Sequence, residues 1–314
     1  MSNPFHIGID IGGTKVNAGI LTPEGQVMCK TTFPSLGADS PAAFAGMIAG
    51  EIEAMLAARQ LSLADAIHIG AGIPGTADFT RGVVAYSCNL FGDHEVPLSD
   101  LFAARWHRPV TVVQDSWAAA YAEYRFGSQR TQPHMLCVTV GTGIGCGVIS
   151  GGKVFAGAMR TAGEIGHTPI VWQGRPCACG QRGCLERYAS GNAILEQALE
   201  RFPHKLRDLP QKTESVFQLA YAGDGDALNL IADCVDKLAY GLSLMIDILS
   251  TDRVVISGGV CAHKALFIDP LQEKILHYGY PAWARKRQVL VSQARLGSDA
   301  PMVGAAFLTA DEIQ

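Results

Sequence analysis

The chain contains one pattern twice: an apolar strand, a glycine-rich turn and a second apolar strand. The first copy spans residues 5–21 and the second spans residues 135–149. Closely spaced glycines let backbone N–H groups approach an anion, and the flanking strands hold the turn in place. The sequence therefore predicts two related halves, each beginning with a hairpin that can hold a phosphate group.

The remaining pattern predicts an α/β protein with room for two lobes. A third strand at 26–33 extends the first hairpin into an antiparallel meander, and Ser40-Pro41 is typical of the start of a helix that we expect to reach residue 59. The 314 residues are 48% hydrophobic and 17% charged, which is typical of a well-cored globular chain. We expect a small N-terminal lobe of residues 1–116, with a C-terminal helix within 300–314 packed back on it, and a large lobe of residues 117–299.

Charge and cysteine usage favour a cytoplasmic protein. The net charge of −4 gives no general reason to expect nucleic-acid or membrane partners. The N-terminus has no basic segment followed by an apolar run, so we expect no signal peptide, and the apolar stretch 238–249 is too short to span a bilayer. Clustered cysteines in a reducing compartment indicate a metal site more often than a disulfide.

The first turn carries the motif DIGGTK. Its glycines expose backbone N–H groups, and the neighbouring polar side chains add donors for phosphate oxygens, while the strand-end carboxylate is suited to orient hydrated Mg²⁺. An ordinary hairpin with an aspartate cap fits the same residues, so this turn alone does not decide between the two. The residues are Asp10, Gly12, Gly13, Thr14 and Lys15.

The second turn carries the motif GTGIGCG and contains Gly141, Thr142 and Gly143. Its glycine spacing does not fit the dinucleotide fingerprint, and a strand instead of a helix is expected to follow. A phosphate loop of the Walker type at 147–153 is excluded because Val154 stands where Ser or Thr is required. A β-hairpin that cradles phosphates remains.

Four possible metal ligands lie close together in sequence: His167, Cys177, Cys179 and Cys184. Three thiolates and one imidazole form a closed tetrahedral zinc site, which leaves no open position for water and is therefore structural. Three free cysteines in a turn are the alternative, and the CxCG spacing favours the metal. Such a zinc ion would fix the loop that carries two carboxylates, Glu164 and Glu186, whose oxygens are suited to accept hydrogen bonds from a ligand.

Asp115 is the candidate general base. It lies at the carboxyl end of the expected buried strand 110–113 and opens a helix, a rigid position from which a carboxylate can accept a proton from an attacking hydroxyl. The same position also suits a helix N-cap, and both roles are compatible.

Taken together, these motifs resemble the ROK family of bacterial sugar kinases. The resemblance covers nearly the whole chain and rests on DIGGTK, GIPG at 72–75, Asp115, GTGIGCG, AGEIGH at 162–167, CxCGxxGCxE at 177–186 and SGG at 257–259. It implies the two-lobed actin-like and hexokinase-like ATPase fold, built from duplicated ribonuclease H-like domains, in which two hairpins clamp ATP.

The resemblance also implies roles for single residues. Asp115 corresponds to the family's catalytic base. In a sugar kinase, the carboxylates of Glu164 and Glu186 are suited to bind sugar hydroxyls. His167 would offer its second ring nitrogen to the sugar while the first binds zinc, and Asn89 matches a position near the sugar. The resemblance further implies that Gly258 and Gly259 approach the nucleoside. Gly75 is expected to present backbone groups beside the sugar.

One position departs from the family pattern. The residue before the catalytic aspartate is usually Asn, whose amide binds a sugar hydroxyl, and here it is Gln114. The extra methylene displaces the amide by about one C–C bond, so we expect the hydroxyl pattern to differ from that of glucose.

The resulting hypothesis is an ATP-dependent hexose kinase that uses Mg²⁺, contains a structural zinc ion and phosphorylates O6 of an aldohexose. Fructokinase, N-acetylmannosamine kinase, N-acetylglucosamine kinase and allose kinase are the alternatives among enzymes. The competing class is a sugar-responsive ROK transcriptional regulator, which has an additional N-terminal helix-turn-helix region. Because DIGGTK begins at residue 10, we expect no such region. Many relatives are dimers, so we expect a homodimer.

Overall fold

A computed structural model describes residues 4–35, 37, 39–87, 90–92, 94–127, 132–280 and 289–314. The chain forms two compact units. Unit 1 comprises Met1–Pro133, Gly147–Ala162 and Arg295–Gln314, and unit 2 comprises His134–Cys146 and Gly163–Ala294. The lobe boundary expected between residues 116 and 117 stays a prediction.

The first five-stranded sheet has the order β3-β2-β1-β4-β7. Its strands are β1 (Phe5–Ile11), β2 (Lys15–Leu21), β3 (Val27–Pro34), β4 (Ala66–Ile73) and β7 (Thr111–Gln114). The first three strands pair in antiparallel fashion, which confirms the expected meander. Strands β4 and β7 continue the sheet in parallel, so the carboxyl ends of β1, β4 and β7 lie at one edge.

A second, two-stranded sheet follows β4 and was not expected from the sequence. It consists of β5 (Thr76–Asp78) and β6 (Val83–Tyr86), paired antiparallel. The strands are short and their turn contains Gly82 at φ 65° instead of a typical two-residue hairpin dipeptide. The local sequence therefore carries little strand signal.

The described part of unit 1 also contains three α-helices and a C-terminal helix: α1 (Pro41–Ala58), α2 (Leu98–Trp106), α3 (Asp115–Phe126) and α9 (Ala300–Phe307). The Ser40 side chain caps α1 by accepting a hydrogen bond of 3.2 Å from the Ala43 amide, and Pro41 is its first residue, as expected. By length and composition α1 could cross a membrane. However, its Phe44, Ile48 and Ile52 are buried in the unit 1 core, as in a core helix of a water-soluble protein.

Helix α9 packs directly on the first sheet and on α3. A Cβ atom at Gly8 would lie 2.0 Å from the carbonyl oxygen of Met302, and one at Gly70 would lie 1.9 Å from that of Ala305. Conversely, a Cβ atom at Gly304 would lie 1.7 Å from the carbonyl oxygen of Ala118. Glycine at these three positions lets backbones touch and ties the end of the chain to β1, β4 and α3.

The third sheet has the order β10-β9-β8-β11-β12. Its strands are β8 (Met135–Val140), β9 (Ile144–Ser150), β10 (Lys153–Val154), β11 (Arg253–Ser257) and β12 (Leu290–Gln293). Strand β11 is parallel to both β8 and β12. The strand order repeats that of the first sheet, with three successive strands followed by two parallel ones, and confirms the two related halves.

Among the described residues of unit 2 there are five α-helices: α4 (Glu186–Ala189), α5 (Gly191–Arg201), α6 (Thr213–Tyr221), α7 (Gly225–Leu249) and α8 (Asp269–Ile275). Residues 264–268 form a wider π-type turn, and α8 after it is short. Pro270 supplies the reason, since it has no N–H to continue an α-helical ladder.

Candidate active site

The first glycine turn closes between β1 and β2. The Gly12 amide donates to the carbonyl oxygen of Lys15 over 2.8 Å, and the Ser35 amide donates to that of Thr14 over 3.1 Å. The side chains of Thr14 and Lys15 are exposed and Gly13 is half-buried. The turn therefore offers its backbone and two side-chain donors to an anion, as its sequence predicts.

Asp10 is the partly buried penultimate residue of β1, opposite Asn17 of β2. Its Oδ2 accepts a hydrogen bond of 2.9 Å from the Asn17 amide, and Asn17 Oδ1 accepts one of 2.9 Å from the Thr32 hydroxyl. Burial raises the pKa of the Asp10 carboxyl, and the Asn17 hydrogen bond and the Lys15 charge oppose that shift. A buried carboxylate held by one oxygen, next to a phosphate-type turn, fits the hard oxygen donor that Mg²⁺ prefers.

The second glycine turn is supported by three elements of unit 2. The Gly141 amide donates to the carbonyl oxygen of Gly143 over 3.0 Å, and the Gly191 amide at the start of α5 donates to that of Gly141 over 2.7 Å. Gly258 has φ 97°, and a Cβ atom there would lie 2.2 Å from the Val140 carbonyl oxygen. Glycine is required at 258 because the ends of β8 and β11 touch.

Glu186 contacts this turn as well. Its Oε2 accepts a hydrogen bond of 2.8 Å from the Ile144 amide. Thr142 is exposed in the turn, and Gly143 faces the same carboxylate oxygen. The residue predicted to bind sugar is thus bonded to the hairpin predicted to bind phosphate, a link that no sequence pattern indicates.

A cavity of about 330 Å³ opens beside the second turn, within unit 2. It is lined by both predicted and unpredicted residues: Val140, Gly141, Thr142, Gly191, Asn192, Lys212, Thr213, Glu214, Phe217, Gly259, Val260 and His263. The inclusion of Gly259 agrees with its expected place near the nucleoside. The cavity therefore extends from a phosphate-type turn to several polar side chains, and its volume is suited to a nucleoside.

The residues at the polar end of this cavity were not predicted from the sequence. His263 is buried, stacks on Phe217 with ring centroids 3.7 Å apart, and its Nε2 lies 3.0 Å from Glu214 Oε2. Glu214 is 49 residues from His263 in the chain. A lone histidine and an isolated glutamate carry no recognisable signal, so only the tertiary structure brings them together.

The carboxyl end of β7 carries Gln114 and Asp115. Asp115 is the first residue of α3 and not its N-cap, and its Oδ1 accepts a hydrogen bond of 2.7 Å from the Ser116 amide. Gly72 of β4 is beside it, because a Cβ atom there would lie 3.4 Å from the Asp115 Cα. The half-buried carboxylate is fixed on a rigid strand–helix junction, as a general base requires.

Gln114 is turned toward the backbone. It is buried, and its Nε2 donates a hydrogen bond of 2.7 Å to the carbonyl oxygen of Gly75. Gly75 itself has φ 98°, and a Cβ atom there would lie 2.2 Å from the Tyr86 carbonyl oxygen. The side chain that departs from the family pattern therefore holds the glycine turn between β4 and β5.

His167, Cys177, Cys179 and Cys184 form one cluster in unit 2, with their ligand atoms all within 4.8 Å of one another. Cys179 Sγ lies 3.7 Å from Cys184 Sγ, and Cys177 Sγ lies 3.6 Å from His167 Nδ1. Tetrahedral zinc with bonds of about 2.3 Å to sulfur and 2.0 Å to nitrogen would separate such pairs by about 3.8 and 3.6 Å. The donor set and its spacing therefore fit zinc.

The cluster constrains the predicted sugar-binding loop. His167 ends the 3₁₀ turn Ile165–His167, which directly follows the exposed Glu164. Cys184 lies two residues before Glu186. His167 directs Nδ1 toward the thiols, so its Nε2 lies on the opposite side of the ring. Asn89, the remaining predicted sugar contact, lies outside the described residues.

Comparison with known proteins assigns the family. The chain is 32% identical to the glucokinase of Thermotoga maritima over 319 residues, which cover 98% of each chain. Its structure matches that of a ROK family glucokinase from Streptomyces griseus, solved with glucose and AMPPNP, with a TM-score of 0.81 and 28% identity over 98% and 99% of the two chains.

The xylose repressor of Bacillus subtilis is also similar, with 26% identity over 98% of this chain and 77% of the repressor. The fold is the two-lobed actin-like and hexokinase-like ATPase fold of the ROK glucokinases. The ROK family model matches residues 6–312. The match extends over almost all of the sequence and includes both glycine turns, the strand-end aspartate and the Cys₃His cluster: the chain belongs to the ROK family.

Proposed function

We infer that the protein is an ATP-dependent hexose kinase, with Asp115 as its general base and O6 of the sugar as the acceptor. The observation that carries this inference is the carboxylate of Asp115 at the strand–helix junction of β7 and α3. It occurs in a chain that aligns with a glucokinase over 98% of both sequences. A carboxylate fixed in this way is placed to accept the proton of an attacking hydroxyl.

Asp115 would accept the proton of the attacking hydroxyl as the oxygen approaches the γ-phosphorus. The helix start holds the carboxylate in one orientation through the Ser116 amide, so little reorganisation is needed when the sugar arrives. The primary hydroxyl of an aldohexose is the least hindered acceptor, which favours O6.

The two glycine turns would hold the phosphates. Gly13 and Thr14 would offer backbone N–H groups, with Gly12 closing the turn and Lys15 nearby. Thr142 and Gly143 would offer a second set, in the turn that Gly141 closes and that α5 and Glu186 support. Asp10, fixed by Asn17, would hold Mg²⁺ through its hydration shell. The metal ion supplies charge neutralisation between the phosphate groups when it is bound. Gly258 and Gly259, together with Lys212 and Glu214, would surround the nucleoside.

Glu164, His167 and Glu186 would bind the sugar hydroxyls. Each belongs to the loop that the Cys₃His cluster closes, and a closed four-ligand site leaves zinc with no position for substrate. Zinc would therefore act as a structural support, and His167 would connect it to the sugar through the ring nitrogen that does not face the thiols. Asn89 is proposed as a further sugar contact from the family pattern alone.

The identity of the hexose is open to test at Gln114 and Gly75. We propose that the Gln114 amide, already bonded to the Gly75 carbonyl oxygen, reads a hydroxyl pattern other than that of glucose. Fructose, N-acetylmannosamine, N-acetylglucosamine and allose are the other acceptors to compare. We further propose a homodimer in the cytoplasm, with no nucleic-acid or membrane partner.

The test is ADP release with MgATP across aldohexoses, ketohexoses and N-acetylhexosamines. We expect phosphorylation of at least one hexose, and we expect Asp115→Asn to lower kcat by about 10²–10⁴-fold while sugar binding measured by calorimetry is retained. Asp100→Asn, an exposed residue of α2 in the same unit, is the matched control and should leave kcat unchanged. Sugar binding without ADP release from the wild type would favour the regulator, the class to which the xylose repressor belongs.

A further inference from the structure

Arg160 has an unusual backbone conformation for its type. Among the described residues other than glycine, five have positive φ: Gln60, His107, Arg160, Gln173 and Ser250. Three of these lie at helix C-termini, where the left-handed conformation is ordinary. Arg160, with φ 57°, lies instead in the loop 156–162, where a long L side chain in this conformation is unfavourable. Such local strain persists where surrounding contacts enforce it.

The contacts that hold Arg160 come from the β5–β6 hairpin. Its guanidinium forms a hydrogen-bonded ion pair with Asp78 at the end of β5 and lies over the ring of Phe79, 5.6 Å from the centroid. Asp78 is itself fixed, since its Oδ1 accepts hydrogen bonds from the amides of Thr80 and Arg81. Burial raises the pKa of the Asp78 carboxyl, but these bonds and the Arg160 charge outweigh that effect and keep it below its usual value.

The other end of the loop is attached to α3. Trp117 is fully buried, and its Nε1 donates a hydrogen bond of 3.1 Å to the carbonyl oxygen of Ala162. The Phe79 ring meets the Trp117 ring edge to face, with centroids 6.4 Å apart. Arg160, Phe79, Trp117 and Ala162 thus form a closed ring of contacts, which we name the Arg160 clamp.

The clamp connects the segments that carry candidate sugar contacts. Phe79 belongs to the hairpin that follows Gly75, and Trp117 follows the proposed base Asp115 by two residues. Ala162 is bonded back to the Ala156 carbonyl oxygen over 3.1 Å, so the loop 156–162 is closed. A displacement of this loop would therefore disturb the contacts that hold Phe79 and Trp117.

From these contacts we propose that Arg160 is a positioning residue for sugar binding, and that the clamp sets the position of the Gly75 turn relative to the start of α3, which carries Asp115. This proposal rests on the proposed function of Gly75 and Asp115 as groups that face the sugar. Arg160 touches neither of the proposed reacting groups and acts only through the loop.

The test compares Arg160→Gly with the wild type. Glycine adopts φ 57° without strain, but the substitution removes the ion pair and the ring contact. Because the relief of strain offsets the lost contacts, we expect the melting temperature to change by no more than about 2 °C. The dissociation constant for D-glucose, or for the hexose that the panel favours, should rise about tenfold or more, while the KM for ATP changes by less than about twofold. Arg160→Lys, which keeps the charge, should recover part of the sugar affinity.

Gln60→Gly is the matched control, because Gln60 has φ 55° at the end of α1 and takes no part in the clamp. It should leave sugar affinity unchanged. Asp78→Asn removes the ion pair from the other side and should weaken sugar binding in the same direction, which keeps the test valid should Arg160→Gly fail to fold.

Sugar affinity within about twofold of the wild type in both Arg160→Gly and Asp78→Asn would overturn the proposal, as would an equal loss of sugar and ATP affinity. Calorimetry measures sugar binding without turnover. If the wild type binds sugar but releases no ADP, the kinase assignment is refuted, while the calorimetric comparison of the variants still tests the clamp.

Discussion

Gln114 combines burial with a directed hydrogen bond. Only 3% of its surface is exposed, and its amide is bonded to the Gly75 carbonyl oxygen. A shorter side chain at this position cannot reach the same oxygen without moving the backbone. The position therefore couples the strand end that carries Asp115 to the turn that Gly75 forms.

Gln114→Asn is expected to change sugar preference more than it changes turnover of ATP. Shortening the side chain releases the Gly75 carbonyl and draws the amide back toward its own backbone by about one C–C bond, at a cost in stability of about 1 kcal/mol for the lost hydrogen bond. The measurement is relative kcat/KM across the hexose panel. Identical ratios in the variant and the wild type would contradict a role for Gln114 in selecting the sugar.

Glu214 is a second residue at which structure suggests a function that sequence did not. Its carboxylate is held by His263 at the polar end of the cavity beside Gly141 and Thr142. A carboxylate in this position is suited to accept hydrogen bonds from ribose hydroxyls.

Glu214→Gln should raise the KM for ATP by about tenfold, because a bond from a hydroxyl to a charged acceptor contributes about 1.5 kcal/mol or more. The substitution should have little effect on the KM for 2′,3′-dideoxy-ATP, which lacks both ribose hydroxyls. Glu51→Gln, exposed on α1, serves as the control. An equal change for both nucleotides would rule out ribose recognition by this carboxylate.

At the scale of elements, the loop from Glu164 to Glu186 depends on its four metal-type ligands. The loop contains the 3₁₀ turn Ile165–His167 and then little regular structure until α4. Few apolar residues are available to pack it, so cross-linking by a bound ion would supply much of its order.

Cys184→Ala is therefore expected to reduce bound zinc from about one ion per chain to near none, because it leaves three ligands. We expect a lower melting temperature and a higher sugar KM, with ATP binding less affected. Metal analysis of the purified protein checks the first effect, and Cys29→Ala, outside the cluster, is the control. Wild-type protein that contains no zinc and is unchanged by zinc or by a chelator would contradict the structural role.

At the scale of the whole molecule, the end of the chain is held on unit 1 partly by two histidines. Nδ1 of His6 and Nδ1 of His68 lie 3.1 and 2.9 Å from the same carbonyl oxygen, that of Ala306 in α9. His68 Nε2 also lies 2.8 Å from the Thr111 hydroxyl. Burial lowers the pKa of both imidazoles and the bonds to Ala306 only partly oppose it.

Stability should consequently fall as the pH is lowered below about 6.5, the ordinary pKa of histidine. The unfolded chain takes up protons there that the folded protein does not, so the free energy of unfolding falls until the lowered folded-state pKa is reached. The melting temperature at pH 7.5 and at pH 5.5 measures this effect. The glutamine amide in His68→Gln can keep both hydrogen bonds, so the melting temperature of this variant should fall less than that of the wild type. The melting temperature of His204→Gln, at an exposed position, should fall as much as that of the wild type. Equal falls in all three proteins would contradict the prediction.

Much of the fold follows from local sequence. Strand alternation and glycine turns predict β1 to β3, β8 and β9, and Ser40-Pro41 predicts the start of α1, because these signals are confined to a few neighbouring residues. Strand β5, strand β6 and the π-type turn before α8 were not predicted, since short strands and single prolines carry weak or ambiguous signals.

The sequence by itself determined the chemistry available to this protein: two glycine turns, a strand-end carboxylate, three cysteines and a histidine at metal-binding spacing, and membership of a kinase family. The tertiary structure alone decided which distant groups meet. It bonds Gln114 to Gly75 and Glu186 to the second turn, pairs Glu214 with His263, and joins Arg160 to Asp78. Each pair lies dozens of residues apart, and only the packing of sheets and helices, driven by burial of the apolar core, brings such residues within hydrogen-bond distance.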